Sequence, residues 1–94
     1  MKLIEHTISF LETIQWCRSG DEARLLLTIL GWEITEDGSA FLGMAYVADV
    51  DDDFVNCYTS VVKGSPLGWE DVPYGKIKRT LSFLRAHPSL SGGA

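Results

Sequence analysis

The 94-residue chain is 46% hydrophobic and 22% charged, with a formal net charge of −5. That length holds one domain, that apolar content excludes a disordered chain, and the acidity argues against non-specific nucleic-acid binding. Cys17 and Cys57 are too few for a disulfide framework and no apolar run approaches the ~18 residues of a membrane span, so a cytoplasmic protein with no membrane partner is expected.

At the N-terminus, Glu5 and His6 interrupt Met1-Lys2-Leu3-Ile4 before the apolar core of a signal peptide could form. Residues 3–17 instead read as a helix. At 100° per residue, Leu3, Ile4, Thr7, Ile8, Phe10, Leu11, Ile14 and Cys17 share one arc, while Glu5, Ser9, Glu12 and Trp16 lie opposite. Trp16 is the misfit of that pattern.

Residues 20–30 carry two competing signals. Ser19 and Glu22 have the spacing of a capping box and Gly31 could end a helix. Against this, "EDGS" (36–39) is a turn, with Gly38 free to take positive φ, and "AFLGMAYVADV" after it reads as one long strand. A strand of that length calls for a partner, and residues 23–35 match it across the turn. The strand reading is preferred here, with a helix as the alternative.

"DVDDD" (49–53) links this strand to a third, "FVNCYTSVV" (54–62), rich in aromatic and β-branched residues. Aspartates in such a link satisfy turn backbone groups and stay solvated. A calcium loop of the EF-hand kind, counted from Asp49, requires Gly and Glu where Phe54 and Ser60 stand. The loop is therefore read as a polar turn, and no metal site is assigned. "KGSPLGWEDVPYG" (63–75) is a loop punctuated by Pro66, Gly68, Pro73 and Gly75. The last helix is expected from Tyr74 to Ala86, stopped by Pro88, with Ile77, Leu81 and Leu84 as its apolar stripe. Residues 89–94 form a small-residue tail, expected to be flexible, after a single domain over 1–88.

The expected fold is α+β: a three-stranded antiparallel meander between an N-terminal and a C-terminal helix, α-β-β-β-α, with α-α-β-β-α as the alternative. Along the presumed second strand, Phe41, Gly43, Ala45 and Val47 line one face and Leu42, Met44, Tyr46 and Ala48 the other. Neither face is polar, so both call for cover, which points to a homo-oligomer.

No catalytic constellation is legible. The two cysteines and two histidines lack zinc-site spacing. A Cys or Ser nucleophile would need His6 or His87 as its base, and no local signature joins them. Glu36-Asp37 and Glu70-Asp71 sit in loops as solvated pairs, and "GSPLG" lacks the pattern of a phosphate loop. No cofactor is implied.

Charge and aromatics say more. Residues 1–62 carry eleven acids against three bases, a balance of −8, whereas residues 63–94 carry two acids against five bases, +3. On the last helix Phe83 falls outside the apolar stripe and shares a face with Lys76, Arg79 and His87. An aromatic among cations can anchor a protein interface or stack on a base. The plainer alternative packs Phe83, and likewise Trp16, onto the core, and Trp69 could simply lid one end of it. The candidate partner-binding residues are Trp16, Lys76, Arg79, Phe83 and His87. The expected function is a non-catalytic interaction protein that self-associates and binds an unknown protein. Nucleic-acid binding through the last helix is the alternative, and a small ligand between sheet and helices is the third reading.

Overall fold

The computed structural model describes residues 3–59 and 68–86. In chain order these form α1 (Leu3–Ile14), α2 (Gly20–Ile29), β1 (Glu33–Ile34), β2 (Ser39–Leu42), β3 (Ala45–Val50), β4 (Phe54–Tyr58), β5 (Trp69–Pro73), a 3-10 turn (Tyr74–Lys76) and α3 (Ile77–Ala86). The strands build one antiparallel sheet in the order β1-β2-β3-β4-β5. The α+β class is as expected. The three-stranded α-β-β-β-α order is corrected to three helices and five strands among the described residues.

Helix α1 buries Ile4, Thr7, Phe10, Leu11 and Ile14, the arc that periodicity predicts. It ends three residues before the expected Cys17, whose N–H closes a turn on the Ile14 carbonyl at 2.9 Å. Trp16 falls beyond that end.

The preferred strand at residues 23–35 is a helix over most of its length. Ser19 has extended backbone and its hydroxyl accepts the Glu22 N–H, which caps α2. At the other end Gly31 takes φ 96°, its N–H bonds the Thr28 carbonyl, and the Trp32 N–H bonds the Leu27 carbonyl at 2.9 Å. That is a Schellman stop, completed by burial of both Trp32 and Leu27. The Trp32 ring then packs on Phe10 with centroids 5.6 Å apart, tying α2 to α1. Paired signals at both ends outweigh the call for a long partner strand.

No such partner is needed, because residues 40–50 are not one strand. Gly43 (φ 64°) and Met44 form a two-residue hairpin loop, and Leu42 pairs with Ala45 across it. Such loops demand positive φ at their first position, which glycine supplies. The EDGS turn forms as expected, with a β1 of only two residues before it.

Between the pairs Ala40–Ala48 and Phe41–Tyr46 the register shifts, leaving Val47 as an extra residue on β3. This bulge lets Val47 and Ala48 both be buried while Tyr46 and Asp49 stay more exposed. The supposed two-faced strand is thus a hairpin plus a bulge, and cover on both sides is not required by pattern alone.

Strand β4 runs as expected to Tyr58, and residues 60–62 of the expected third strand lie outside the described residues. Strand β5 arises inside the supposed loop. It pairs with β4 from Phe54–Pro73 to Tyr58–Trp69 and is an edge of the sheet among the described residues, where a proline and two acids are the side chains that disfavour a further strand.

Ala48, Val50, Val55, Cys57 and Val72 of the sheet join Phe10, Leu11, Ile14, Leu27, Ile77, Leu81 and Leu84 of the helices in one core cluster. The expected stripe of the last helix is therefore buried. An ion pair between Arg85 and Glu12 joins α3 to α1 at the surface.

Candidate interaction surfaces

The acidic turn is a structural tie. The Arg24 guanidinium donates to the Val50 carbonyl at 3.2 Å and pairs with the carboxylates of Asp21 at 2.7 Å and Asp52 at 3.1 Å. Those two carboxylates hold the Arg24 pKa above its usual value. The Gly20 N–H donates to the Asp52 carbonyl at 3.0 Å, and the Tyr74 hydroxyl to the Asp51 carbonyl at 2.8 Å. The approach is close enough that a Cβ on Gly20 would meet the Asp51 carbonyl oxygen at 2.4 Å. The turn thus binds α2, β3 and the start of the last helical segment together.

Trp16 is 73% exposed. Its ring lies under the Lys78 ammonium, with Nζ 3.2 Å from the ring centroid, so α3 fixes the orientation of the indole. Trp16 lines a groove of about 370 Å³ together with Cys17, Glu22, Leu25, Leu26 and Ile29. It also lines a hollow of about 280 Å³ with Arg18, Tyr74, Gly75 and Lys78. Leu25 and Ile29 of α2 and its C-cap Leu30 are each more than half exposed, with Ile29 at 70%. These leucines and the isoleucine escaped sequence reasoning because the strand reading hid them. The capping box and Gly31 were the signal that could have found them.

Lys76, Arg79 and Phe83 all lie exposed on the 3-10 turn and α3, with Phe83 40% accessible. His87 lies outside the described residues. Trp16 does not join this stripe directly, since the cation it meets is Lys78.

A third surface is the side of the sheet turned from the core. Register places Phe41 beside Tyr46, and Tyr58 beside Trp69. Tyr46 stacks on Trp69 with centroids 5.7 Å apart and an interplanar angle of 16°, Phe41 tilts against Tyr46 at 5.6 Å, and Tyr58 meets Trp69 edge-on at 6.0 Å. Trp69 therefore belongs to an aromatic row on the sheet. Burial first, and then the carboxylates of Asp49 and Asp37, push the Tyr46 phenol up to about 12.

Reactive chemistry is weakly supported in this arrangement. Both cysteines are buried free thiols, and burial is the largest cause that raises each, Cys57 to about 12. Protonated thiols are poor nucleophiles and poor metal ligands. Among the described residues no group of three or more His, Cys, Asp or Glu side chains could hold a metal ion, and no helix is long and apolar enough to cross a membrane. No protein-family model, curated protein or solved structure matches the chain.

Proposed function

We propose that the chain is a small non-catalytic interaction protein that self-associates through the apolar surface shared by Trp16 and α2. The exposure of Trp16, Leu25 and Ile29 around one groove carries this reading. Isolated apolar side chains are ordinary on a surface, whereas contiguous ones mark an interface. An apolar patch is also self-complementary, so it suits a two-fold dimer in which the same surface meets itself. The setting proposed is a reducing one, in keeping with two buried free thiols. A Leu25→Ser/Ile29→Ser variant tests the surface. It should lose self-association while keeping the midpoint of unfolding that the native chain has when diluted to single chains, because neither side chain is in the core. Association that survives in this variant removes the proposal.

The stripe of Lys76, Arg79 and Phe83 supports a second contact, to a protein partner, with nucleic acid as the alternative. Of the four cations on the 3-10 turn and α3, Lys78 is engaged by Trp16 and Arg85 by Glu12, which among the described residues leaves Lys76 and Arg79 for a phosphate backbone. Two phosphate contacts would give only a shallow salt dependence, with a slope of roughly −2 in log–log terms. A salt titration against generic DNA and RNA separates the two partners. A slope several times steeper would favour nucleic acid.

A further inference from the structure

None of the five strands contains a Lys or Arg. Among the described residues every Lys and Arg sits on a helix, the 3-10 turn or a connection, so the described strands bring only neutral and acidic side chains to the outer side of the sheet. Register aligns Ser39, Asp49, Asn56 and Asp71 in one row across β2 to β5. Two neutral donors hold the carboxylates of that row: the Ser39 hydroxyl bonds Asp49 at 3.0 Å and the Asn56 amide bonds Asp71 at 2.8 Å. Neither carboxylate has an ion pair among the described residues. The aromatic row of Phe41, Tyr46, Tyr58 and Trp69 runs beside it, two residues along β2, β4 and β5 and, across the Val47 bulge, three along β3, or about 7 Å away.

We infer that this face docks an arginine-bearing segment of a partner protein. A guanidinium plane can lie on the exposed part of the Tyr46–Trp69 stack and direct its N–H groups at the Asp49 or the Asp71 carboxylate, which stand two strands, or about 9–10 Å, apart. Arginine suits the face better than lysine, because its flat cation stacks on rings and bonds carboxylates in a fork, while an ammonium is a strongly hydrated point charge. The donors from Ser39 and Asn56 fix both carboxylates before the partner arrives, which limits the ordering cost of binding. This surface is separate from the Trp16 groove, so the inference does not depend on self-association.

The probe is a synthetic peptide with four arginines spaced by glycine and serine, titrated calorimetrically against the native chain, with a four-lysine peptide beside it. The arginine peptide should bind several-fold more tightly than the lysine peptide. Asp49→Asn/Asp71→Asn should weaken it by about tenfold or more. A control that removes the same charge elsewhere, Glu36→Gln/Asp53→Asn, should change affinity by less than about threefold. Tyr46→Leu should erase the preference for arginine. Equal weakening by the two double variants would reduce the effect to net charge and overturn the inference. So would equal binding of the two peptides, or no binding at all. Self-association abolished by both Asp49→Asn/Asp71→Asn and Lys76→Ala/Arg79→Ala would give the face to a second copy and overturn it as well.

Discussion

The Lys78 ammonium stands over the Trp16 indole, 3.2 Å from its centroid, and so one cation of α3 holds the most prominent apolar side chain of the α1–α2 connection in place. An exposed cation–π contact contributes about 0.5–1 kcal/mol. A double-mutant cycle of Lys78→Ala and Trp16→Leu, read by denaturant unfolding, should return a coupling energy in that range. A coupling near zero would mean that the indole is oriented by something else.

Gly20→Ala offers a test with opposed expectations. On helix propensity alone, alanine would stabilise the start of α2 by up to about 1 kcal/mol. The Asp51 carbonyl at 2.4 Å from the new Cβ demands a backbone shift instead, an overpacking cost of about 1–3 kcal/mol. The variant should therefore be less stable than the native chain, and a gain in stability would refute the close docking of the acidic turn on α2.

The same turn predicts weak calcium binding. The Val50, Asp51 and Asp52 carbonyls already accept from Arg24, Tyr74 and Gly20, and the Asp52 carboxylate is paired with Arg24. A calcium ion would have to displace these bonds or coordinate mostly water, which places its affinity at roughly millimolar or weaker. Calorimetry that finds micromolar binding, lost in Asp51→Asn/Asp53→Asn, would contradict this.

Stability should fall at alkaline pH. Burial raises the Cys57 thiol from 9.0 and the Tyr46 phenol from 10.0, each to about 12, and raises the Tyr74 phenol as well. The unfolded chain gives up these protons first. From about pH 9 to 12 the unfolded state therefore holds fewer of them, and each rise in pH favours unfolding, whereas below pH 9 the contribution is complete. Cys57→Ala should flatten the loss just above pH 9, seen in unfolding midpoints measured across the range. An unchanged slope would show that Cys57 does not titrate in this way.

How much of this was legible in the sequence depended on whether a signal was local. Periodicity marked the buried arc of α1 and the Ile77–Leu81–Leu84 stripe of α3, and EDGS and DVDDD marked two turns. The second half of the meander was harder to see. Gly43-Met44 makes a hairpin loop with one turn-forming residue inside an apolar run, so the run looked like one strand. The Val47 bulge is set by pairing with β2 and leaves no mark in composition. Strand β5 has Val72 as its one buried residue among two acids and a proline, which resembles a loop until β4 is beside it. Trp16 was legible as a misfit of the α1 periodicity, although it is exposed in the turn after the helix rather than on it. The Tyr46–Trp69 stack was not, since it joins residues from strands whose pairing had to be known first.

Phe83 should behave as a partly covered side chain. A fully buried Phe costs about 3–5 kcal/mol on truncation to alanine. With 40% of the residue exposed, Phe83→Ala should cost about 1–2 kcal/mol while reducing binding by the α3 stripe. A loss at the upper end of the buried range, with partner binding intact, would return Phe83 to the core.

Self-association through the Trp16 and α2 surface is most directly tested by the mass of the native chain in solution. Light scattering coupled to size exclusion, run across a range of micromolar concentrations, should give twice the 10.4 kDa of one chain, shifting towards a single chain on dilution. A constant mass of 10.4 kDa at the highest concentration would contradict the account.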